Sequence, residues 1–446
     1  MHKKINTMAQ QNEYVAAIDL GTTKIVTLIG KKNSNKKLQI VAHSKTSSTG
    51  IKRGIVLNIE ETVAAIQQTV EDVQLKSGII FSNIFVGIAG QHIRSVRNRN
   101  VISLNADQDI ITIDNVNDLI EDTYKIPVEV GEEILHVLPQ SFIVDNEGGI
   151  KNPVGMAGKR LEANFHIVIG QTASAKNISK CANRVDLVVN DLILEPLASA
   201  EAVLTDDEKE AGVVLVDVGG GTTDIAIFFD GIVRHTAVIP FGGNVITNDI
   251  KEGCSILLRQ AEQLKVQFGS ALGDIAPEDK IVTIPGISGR EPKEISFKSL
   301  AYIIQSRMEE IISYIVFEVE NSGYADKLSA GIVLTGGGSL LRHLSQLVKF
   351  KTGFDVRIGY PNEHLAADSS DEINSPAYST GIGLVIKGFE YIESYNRLHK
   401  EAVESETDSE NTTDDKQKSK EIKKNNLLEL FKRKFTEIFE ENDSEM

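Results

Sequence analysis

The chain has 446 residues, of which 41% are hydrophobic and 25% are charged. That length is sufficient for two or more domains with buried cores, and the composition is typical of a soluble globular protein. The formal net charge of −16 argues against a nucleic-acid partner, because most of the surface would repel phosphates.

The cysteine content and the N-terminus favour a reducing, cytoplasmic compartment. Only Cys181 and Cys254 are present, too few for a disulfide framework. Residues 1–14 lack the apolar core of a signal peptide, and no apolar run reaches the roughly eighteen residues of a membrane span.

A first glycine-threonine motif follows an apolar run near the N-terminus. The motif lies between the runs 15–18 and 25–29 and reads Asp19-Leu20-Gly21-Thr22-Thr23-Lys24. Two apolar runs around a short turn predict a hairpin of two strands. Glycines let the backbone approach an anion, Thr hydroxyls add hydrogen-bond donors, and the Asp can hold water on Mg²⁺.

A second copy of this motif occurs about two hundred residues later. It lies between the apolar runs 213–216 and 225–229 and reads Asp217-Val218-Gly219-Gly220-Gly221-Thr222-Thr223-Asp224. One such hairpin is explained equally well as an ordinary tight turn. Two hairpins with the same residue order predict a nucleotide bound between two lobes, and no stretch of the chain has the spacing of a P-loop.

Strand and helix patterns alternate through the first 390 residues, which predicts an α/β protein. Asn58 and Glu61 resemble a capping box at the start of a helix that Gly78 can end. A second helix is predicted over 173–189. Between Gly90 and about Leu161 the chain has mixed patterns without a phosphate loop, which indicates an inserted subdomain.

Two further segments are candidates for the same site. A strand over 192–194 runs into Glu195-Pro196, so Glu195 is expected at the end of a strand. A third glycine cluster follows the strand 332–334, and Ser339 is expected to cap the helix after it, whose N-terminus favours a phosphate or ribose. This cluster reads Thr335-Gly336-Gly337-Gly338-Ser339.

The C-terminal region combines a polar segment with an amphipathic helix. Residues 401–421 contain almost no apolar side chain, which predicts a disordered linker. In the predicted helix 425–440 the apolar side chains fall within an arc of roughly 120°, flanked by Lys432 and Lys434. The arc contains Leu427, Leu428, Phe431, Phe435, Ile438 and Phe439. A membrane surface is the favoured binding partner of this helix, and a protein groove or the body of the protein are the alternatives.

Taken together, these motifs resemble the actin, sugar-kinase and heat-shock chaperone ATPase superfamily, and within it the FtsA family of bacterial cell-division proteins. The closer resemblance rests on the terminal helix and on three further stretches: Gly50-Ile51-Lys52-Arg53-Gly54-Ile55-Val56, residues 153–162, and Pro240-Phe241-Gly242-Gly243-Asn244. It extends over roughly residues 13–390 and resumes at the tail. It implies an actin-like, two-lobed ATPase fold with an inserted α+β subdomain in the first lobe, a disordered linker and a C-terminal amphipathic helix.

The resemblance implies a role for each motif. The two hairpins would grip the phosphates of ATP, with Asp19 and Asp217 holding Mg²⁺ through water. Gly336 to Ser339 would approach the adenosine, and Glu262 with Lys265 would lie beside the purine and ribose, although an exposed ion pair explains those two residues as well. Glu195 would position the attacking water or, alternatively, order local backbone.

The resemblance also implies an arrangement of domains. The boundaries expected are 13–90 for the first lobe, 91–162 for the insert, 163–210 for the rest of that lobe, 211–252 for the second lobe, 253–323 for its smaller subdomain, 324–376 for its glycine loop, 377–398 for a helix returning to the first lobe, 399–421 for the linker and 422–441 for the amphipathic helix.

The function implied is that of a slow ATPase that forms filaments on the cytoplasmic face of the cell membrane at the division site, where it tethers the FtsZ ring. The insert would contribute to filament contacts and recruit other division proteins, the smaller subdomain would bind the C-terminal tail of FtsZ, and the terminal helix would bind anionic lipids.

Three other functions compete with this one. A PilM-like pilus-assembly protein shares the body and the insert but usually lacks the terminal helix. A small-molecule kinase would require a carboxylate aimed at a sugar hydroxyl, and no motif supplies one. A chaperone would require a β-rich substrate domain, and only about 55 residues follow the body.

Overall fold

The structure is a computed structural model that describes residues 13–104, 109–286, 291–366 and 370–407. The chain divides into two units. The first contains the described residues up to Arg94 together with Ala173–Ile386. The second contains Ser95–Thr172 and the described residues from Lys387 onward.

Strands and helices alternate along the described chain, as expected for an α/β protein. The strands are β1 Val15–Leu20, β2 Lys24–Lys32, β3 Leu38–Ser47, β4 Ile51–Lys52, β5 Ile55–Val56, β6 Asn83–Ile88, β7 Arg94–Ser103, β8 Glu132–Val144, β9 Glu147–Ile150, β10 Arg160–Gln171, β11 Val188–Leu194, β12 Val213–Val218, β13 Thr223–Phe229, β14 Ile232–Ile239, β15 Ile281–Ile284, β16 Lys293–Ser296, β17 Ile332–Thr335 and β18 Val356–Ile358. The helices are α1 Ile59–Ser77, α2 Ile113–Tyr124, α3 Thr172–Asn183, α4 Glu195–Val203, α5 Asp206–Ala211, α6 Gly243–Cys254, α7 Leu258–Phe268, α8 Phe297–Ser322, α9 Leu344–Thr352 and α10 Ser379–Thr407.

The first unit contains two five-stranded sheets of similar design. One has the order β11-β6-β1-β2-β3, and the other has the order β14-β13-β12-β17-β18. In the first sheet β11, β6 and β1 are parallel, and in the second β12, β17 and β18 are parallel. Parallel strands bring their carboxyl ends to one edge of a sheet, where α/β proteins bind ligands. Each sheet therefore has one edge suited to a binding site.

Both predicted glycine-threonine hairpins are confirmed. β1 pairs antiparallel with β2, and β12 pairs antiparallel with β13. Every residue of β1 and β12 is buried. Strands buried on both faces are nearly continuous apolar runs, which is why the sequence revealed these two.

The second sheet packs against a large apolar core. Residues of β12 and β17 share this cluster with Leu300, Ile304 and Ile311 of α8. Each fully buried aliphatic side chain contributes about 1.5–3 kcal/mol relative to an exposed one. This core fixes the strand ends that carry the second hairpin and the third glycine cluster.

One of the two predicted helices agrees with the structure, and the other ends earlier than expected. α1 begins after Asn58, whose side chain accepts a hydrogen bond from the Glu61 backbone, and Gly78 ends it in the left-handed conformation, as expected. The helix predicted over 173–189 ends at Asn183 instead. Asp186 adopts a positive φ of 59°, and Val188 and Val189 join β11, because these β-branched residues complete a parallel pairing with β6.

The second unit contains the inserted α+β subdomain. Its antiparallel sheet has the order β7-β10-β8-β9, and α2 shares an apolar core with it. Glu162 is buried in this subdomain and paired with Arg99 at 2.5 Å and Arg160 at 3.1 Å. Burial of a carboxylate requires such partners, so Arg99 has a structural role.

The last described helix is longer than predicted. α10 continues to Thr407, so the linker does not begin at residue 399. Residues 400–404 include Lys, Glu and Ala, which favour helix, and no Gly or Pro ends it. The remaining linker and the amphipathic helix 422–441 lie outside the described residues.

None of the helices in the described part of the chain is long and apolar enough to cross a membrane.

Candidate functional site

The tip of the first hairpin consists of Gly21, Thr22 and Thr23, between β1 and β2. Asp19 is buried at 7% exposure one residue before the end of β1. Lys24 follows the tip, and its ammonium group donates to the Ala377 carbonyl and lies 4.3 Å from the centre of the Tyr378 ring. The amino group of Lys24 thus binds the segment before α10.

The tip of the second hairpin places two carboxylates opposite each other. Gly219 to Thr222 form the turn, and Asp217 and Asp224 are direct partners across the β12–β13 ladder. The Thr222 hydroxyl donates to Oδ2 of Asp224 at 2.9 Å. Like charges directly opposite each other destabilise a ladder, so this pair requires a compensating cation or a proton.

The two hairpin tips meet. A Cβ placed on Gly220 would lie 1.8 Å from Oγ1 of Thr23, and one on Gly221 would lie 2.5 Å from Oγ1 of Thr22. Only glycine allows backbone to approach a side chain this closely. The structure therefore brings together the two motifs that lie almost two hundred residues apart in the sequence.

The loop before α6 and the first residues of that helix support the second hairpin. The backbone N–H of Gly243 donates to the Gly219 carbonyl at 2.9 Å, and that of Asn244 donates to the Gly220 carbonyl at 2.8 Å. The Thr223 hydroxyl donates to the Phe241 carbonyl at 2.8 Å. The stretch 240–244, which sequence analysis noted only for its resemblance, thus holds the glycine tip in place.

Glu262 and Lys265 form more than an exposed ion pair. Their charged groups lie 2.8 Å apart on α7, and the Lys265 ammonium also donates to the Gly243 carbonyl at 3.0 Å and to the Thr247 hydroxyl at 2.8 Å. The Thr247 hydroxyl donates in turn to Glu262. The pair is connected to the second hairpin through Gly243.

The third glycine cluster reaches the same edge of the second sheet. β12 and β17 are parallel, with Asp217 opposite Thr335, so Gly336 to Ser339 follow β17 beside the second hairpin. A Cβ on Gly336 would lie 2.2 Å from Oδ1 of Asp217. Gly337 and Gly338 lie in a short 3₁₀-helix that ends at Leu340.

The expected cap at Ser339 is wrong. Its buried hydroxyl donates to the Gly336 carbonyl at 2.7 Å, and α9 begins only at Leu344. The 3₁₀-helix places Ser339 inside a turn, because its i→i+3 hydrogen bonds wind the chain more tightly than an α-helix.

Glu195 lies at the carboxyl end of β11 and is the first residue of α4. Its side chain packs against the backbone of β6, since a Cβ on Gly87 would lie 2.9 Å from Cγ of Glu195. Burial, and then the negative charges of Asp19, Asp224 and Asp217, raise the pKa of Glu195 well above its ordinary value. Glu195 therefore belongs to the carboxylate cluster of the hairpins.

Burial also raises the pKa of each aspartate in this cluster. Asp19 reaches about 6, with the Lys24 charge opposing the shift and Asp217 adding to it. Asp224 reaches about 8 through burial and the nearby Asp217. Burial raises the pKa of Asp217 as well, and the hydrogen bonds that Ser199 and Thr380 donate to its carboxylate oppose that shift. Such shifts are typical of functional sites.

Several residues of this site escaped the sequence analysis. The hydroxyls of Ser199 and Thr380 donate to Oδ2 of Asp217 at 2.6 Å and 3.1 Å. Gly87 was missed although glycine inside a strand often marks a close approach. The pairing of Ser199 and Thr380 with Asp217 leaves no local pattern, because the partners are distant in sequence.

Two mixed sheets, each with three parallel strands and a glycine-threonine hairpin at the carboxyl edge of those strands, define a protein with the actin-like fold. Solved structures share this fold. The PilM-PilN type IV pilus biogenesis complex matches with a TM-score of 0.60 at 14% identity, covering 84% of this chain and 98% of that one. MreB5 of Spiroplasma citri bound to ADP matches with a TM-score of 0.52 at 14% identity, covering 86% and 99%.

Sequence similarity identifies the family. The family described as cell division protein FtsA matches residues 214–383, and the SHS2 domain inserted in FtsA matches residues 90–169. The cell division protein FtsA of Pseudomonas aeruginosa is 38% identical over 381 residues, which is 85% of this chain and 90% of that protein. The chain belongs to the FtsA family of cell division proteins. Its likeness to the pilus complex is one of fold alone.

Proposed function

We infer that this chain is an ATP-binding, filament-forming protein that tethers the FtsZ ring to the cytoplasmic face of the membrane at the division site. Family membership supports a role in cell division. The observation that carries the nucleotide part is the meeting of two glycine-threonine hairpins beside four carboxylates with raised pKa values.

The residues of this site fit magnesium and a nucleotide. Among the described residues, Oδ1 of Asp224 is one of few buried polar side-chain atoms without a hydrogen-bond partner. Buried carboxylates that repel one another are stabilised by a divalent cation. Mg²⁺ is usually held by one or two carboxylates together with waters and phosphates, and Asp19 and Asp217 suit that role.

The hairpins would bind the phosphates. Backbone N–H groups of glycine turns, together with Thr hydroxyls, form anion-binding concavities. Gly21 to Thr23 and Gly219 to Thr223 supply these groups from two sides, and Lys24 adds positive charge near Asp19. Glu262, Lys265 and the segment Gly336 to Ser339 would border the nucleoside.

Glu195 would orient the water that attacks the terminal phosphate. Magnesium, when bound, neutralises charge on the phosphates, and positioning supplies most of the remaining catalysis. A nearby cation also favours the ionised form of Glu195, which can accept a hydrogen bond from water. Turnover would be slow, because the main use of the nucleotide is to set the subunit shape that polymerises.

Two subdomains would bind protein partners. The insert, about residues 91–162, would contribute to filament contacts and recruit other division proteins. The smaller subdomain, about residues 253–323, would bind the C-terminal tail of FtsZ. Family membership is the support for both assignments.

The amphipathic helix would bind anionic lipids. A single short helix binds a membrane reversibly, whereas a filament that presents many of them gains avidity. The test is co-pelleting with anionic liposomes in ATP and Mg²⁺, comparing the full chain with a version that ends at Glu421. We expect only the full chain to pellet. If neither version pellets, the helix binds a protein groove or the body of this protein, and the membrane tether is refuted.

A double variant separates the helix from the nucleotide site. Phe431→Glu with Phe435→Glu should release the protein from lipid without changing ATP binding in solution, because both changes lie on the apolar arc. Loss of ATP binding in this variant would show instead that the helix docks on the body.

A further inference from the structure

One loop at the edge of the first sheet has no assigned role although it borders the candidate site. β6 lies between β1 and β11, and the three strands are parallel. The tip of the first hairpin follows β1, and Glu195 follows β11. Since carboxyl ends of parallel strands share one edge, the loop after β6 lies between the phosphate hairpin and the carboxylate expected to position water.

The segment Gly50–Val56 connects this loop to the hairpin tip. The backbone N–H of Gly54 donates to the Thr22 hydroxyl at 3.2 Å. Gly54 has a φ of 74°, and a Cβ on it would lie 2.8 Å from backbone atoms of Ala89 and Gly90. Because Thr22 accepts this bond, the proton of its hydroxyl remains available for another acceptor. Arg53, the residue before Gly54, therefore lies close to the hairpin tip.

Three polar side chains gather at this junction, all within the first unit. Arg53 adopts a positive φ of 49°, a conformation that non-glycine residues adopt rarely and often at functional sites. Its guanidinium donates to the Gln91 side chain at 3.4 Å. Both ring nitrogens of His92 are buried and have no hydrogen-bond partner among the described residues.

Buried ring nitrogens without hydrogen-bond partners are costly in a native structure. His92 is half-buried, and burial lowers its pKa, so the ring is neutral at neutral pH with one donor and one acceptor. A phosphate oxygen or a water beside the first hairpin would satisfy it. A guanidinium is also well suited to phosphate, since its N–H groups match two oxygens at once.

We propose that Arg53, Gln91 and His92 recognise the terminal phosphate of the nucleotide and so distinguish a nucleoside triphosphate from a diphosphate. Gln91 orients the guanidinium, and His92 binds the phosphate or the water next to it. This inference rests on the proposed nucleotide binding and adds the residues that make the site specific for the triphosphate.

The test is the ratio of ATP to ADP affinity in Mg²⁺, measured by isothermal titration on the full chain. Arg53→Met and His92→Leu should each weaken ATP binding by about ten-fold, the effect of losing one charge-assisted or buried hydrogen bond, and leave ADP binding within about two-fold of wild type. Lys52→Met is the matched control, because it removes an exposed charge from the residue next to Arg53. It should change neither affinity.

The outcomes separate this proposal from the one it rests on. Equal losses for ATP and ADP would show that the cluster only supports the fold and would overturn the proposal. Unchanged affinities in both variants would also overturn it. If the unaltered chain binds neither nucleotide, the proposed nucleotide site itself is refuted. Recognition of the terminal phosphate by Arg53, Gln91 and His92 is then refuted with it. The unfolding midpoint of His92→Leu should match or exceed that of wild type, because the change removes unpaired buried nitrogens.

Discussion

The hydroxyl of Ser199 donates a 2.6 Å hydrogen bond to Oδ2 of Asp217. Ser199 lies on α4, and Asp217 lies on β12 in the second hairpin. Thr380, at the start of α10, donates to the same oxygen at 3.1 Å. Two helices thus hold one carboxylate of the candidate magnesium site, so a movement of either helix would displace a hydrogen-bond donor of Asp217.

Replacing these hydroxyls should weaken magnesium-dependent nucleotide binding. Ser199→Ala removes the shorter bond and raises the pKa of Asp217 further, and we expect a loss of about ten-fold in ATP affinity in Mg²⁺, equivalent to about 1.4 kcal/mol. Thr380→Val removes the longer bond and should cost less. Titration calorimetry with and without Mg²⁺ measures both. An equal loss in the absence of Mg²⁺ would mean that Asp217 does not serve the metal.

The carboxylate cluster predicts an unusual dependence of stability on pH. Asp19, with a pKa of about 6, and Asp224, with a pKa of about 8, bind protons more tightly in the folded state than in the unfolded state. Their contribution to the free energy of unfolding is therefore greatest below pH 4 and is lost as the pH rises through 6 and 8. Without nucleotide, the midpoint of unfolding should therefore decrease as the pH is raised from 5 to 9.

Two controls test the source of that slope. Asp224→Asn removes the group with the higher pKa, so the decline above pH 7 should become shallower. ATP with Mg²⁺ should flatten the curve in the wild-type protein, because a bound cation replaces the protons. A midpoint that rises with pH over this range would contradict the assignment.

Lys24 should stabilise the folded protein through its hydrogen bond to the Ala377 carbonyl as well as through its charge. Its ammonium group binds the Ala377 carbonyl and lies over the Tyr378 ring, and its charge lowers the pKa of Asp19. Lys24→Met should cost about 1–3 kcal/mol in unfolding free energy, as for a partly buried bond to a charged group. Chemical denaturation measures this cost.

Lys45 provides the matched control for Lys24. It also lies near Tyr378, but its side chain is 52% exposed and pairs with Glu372 on the surface. Exposed ion pairs contribute about 0–1 kcal/mol, so Lys45→Met should be nearly neutral. Equal losses of unfolding free energy for the two substitutions would show that the hydrogen bond to Ala377 stabilises the protein no more than an exposed ion pair does.

The sequence allowed the hairpins to be predicted because each consists of contiguous apolar runs around a glycine turn. It could not show that Gly220 meets Thr23, since that contact depends on the packing of two sheets. Ser199 and Thr380 were missed for the same reason, as their positions lie 18 and 163 residues from Asp217. Local signals alone also placed the cap at Ser339 wrongly, because a 3₁₀-helix intervenes before α9.

The contact between Gly87 and Glu195 offers the sharpest test of the catalytic proposal. Gly87→Ala would place a Cβ 2.9 Å from Cγ of Glu195, so the side chain must shift. We expect ATP affinity to change by less than about three-fold, while phosphate release at saturating ATP falls by about ten-fold or more, because misplaced catalytic groups lower turnover steeply. Gly148→Ala is the control, since a Cβ there meets its nearest atom only at 3.7 Å. If affinity and turnover fall together, Glu195 supports nucleotide binding, and the water that attacks the phosphate is positioned by another residue.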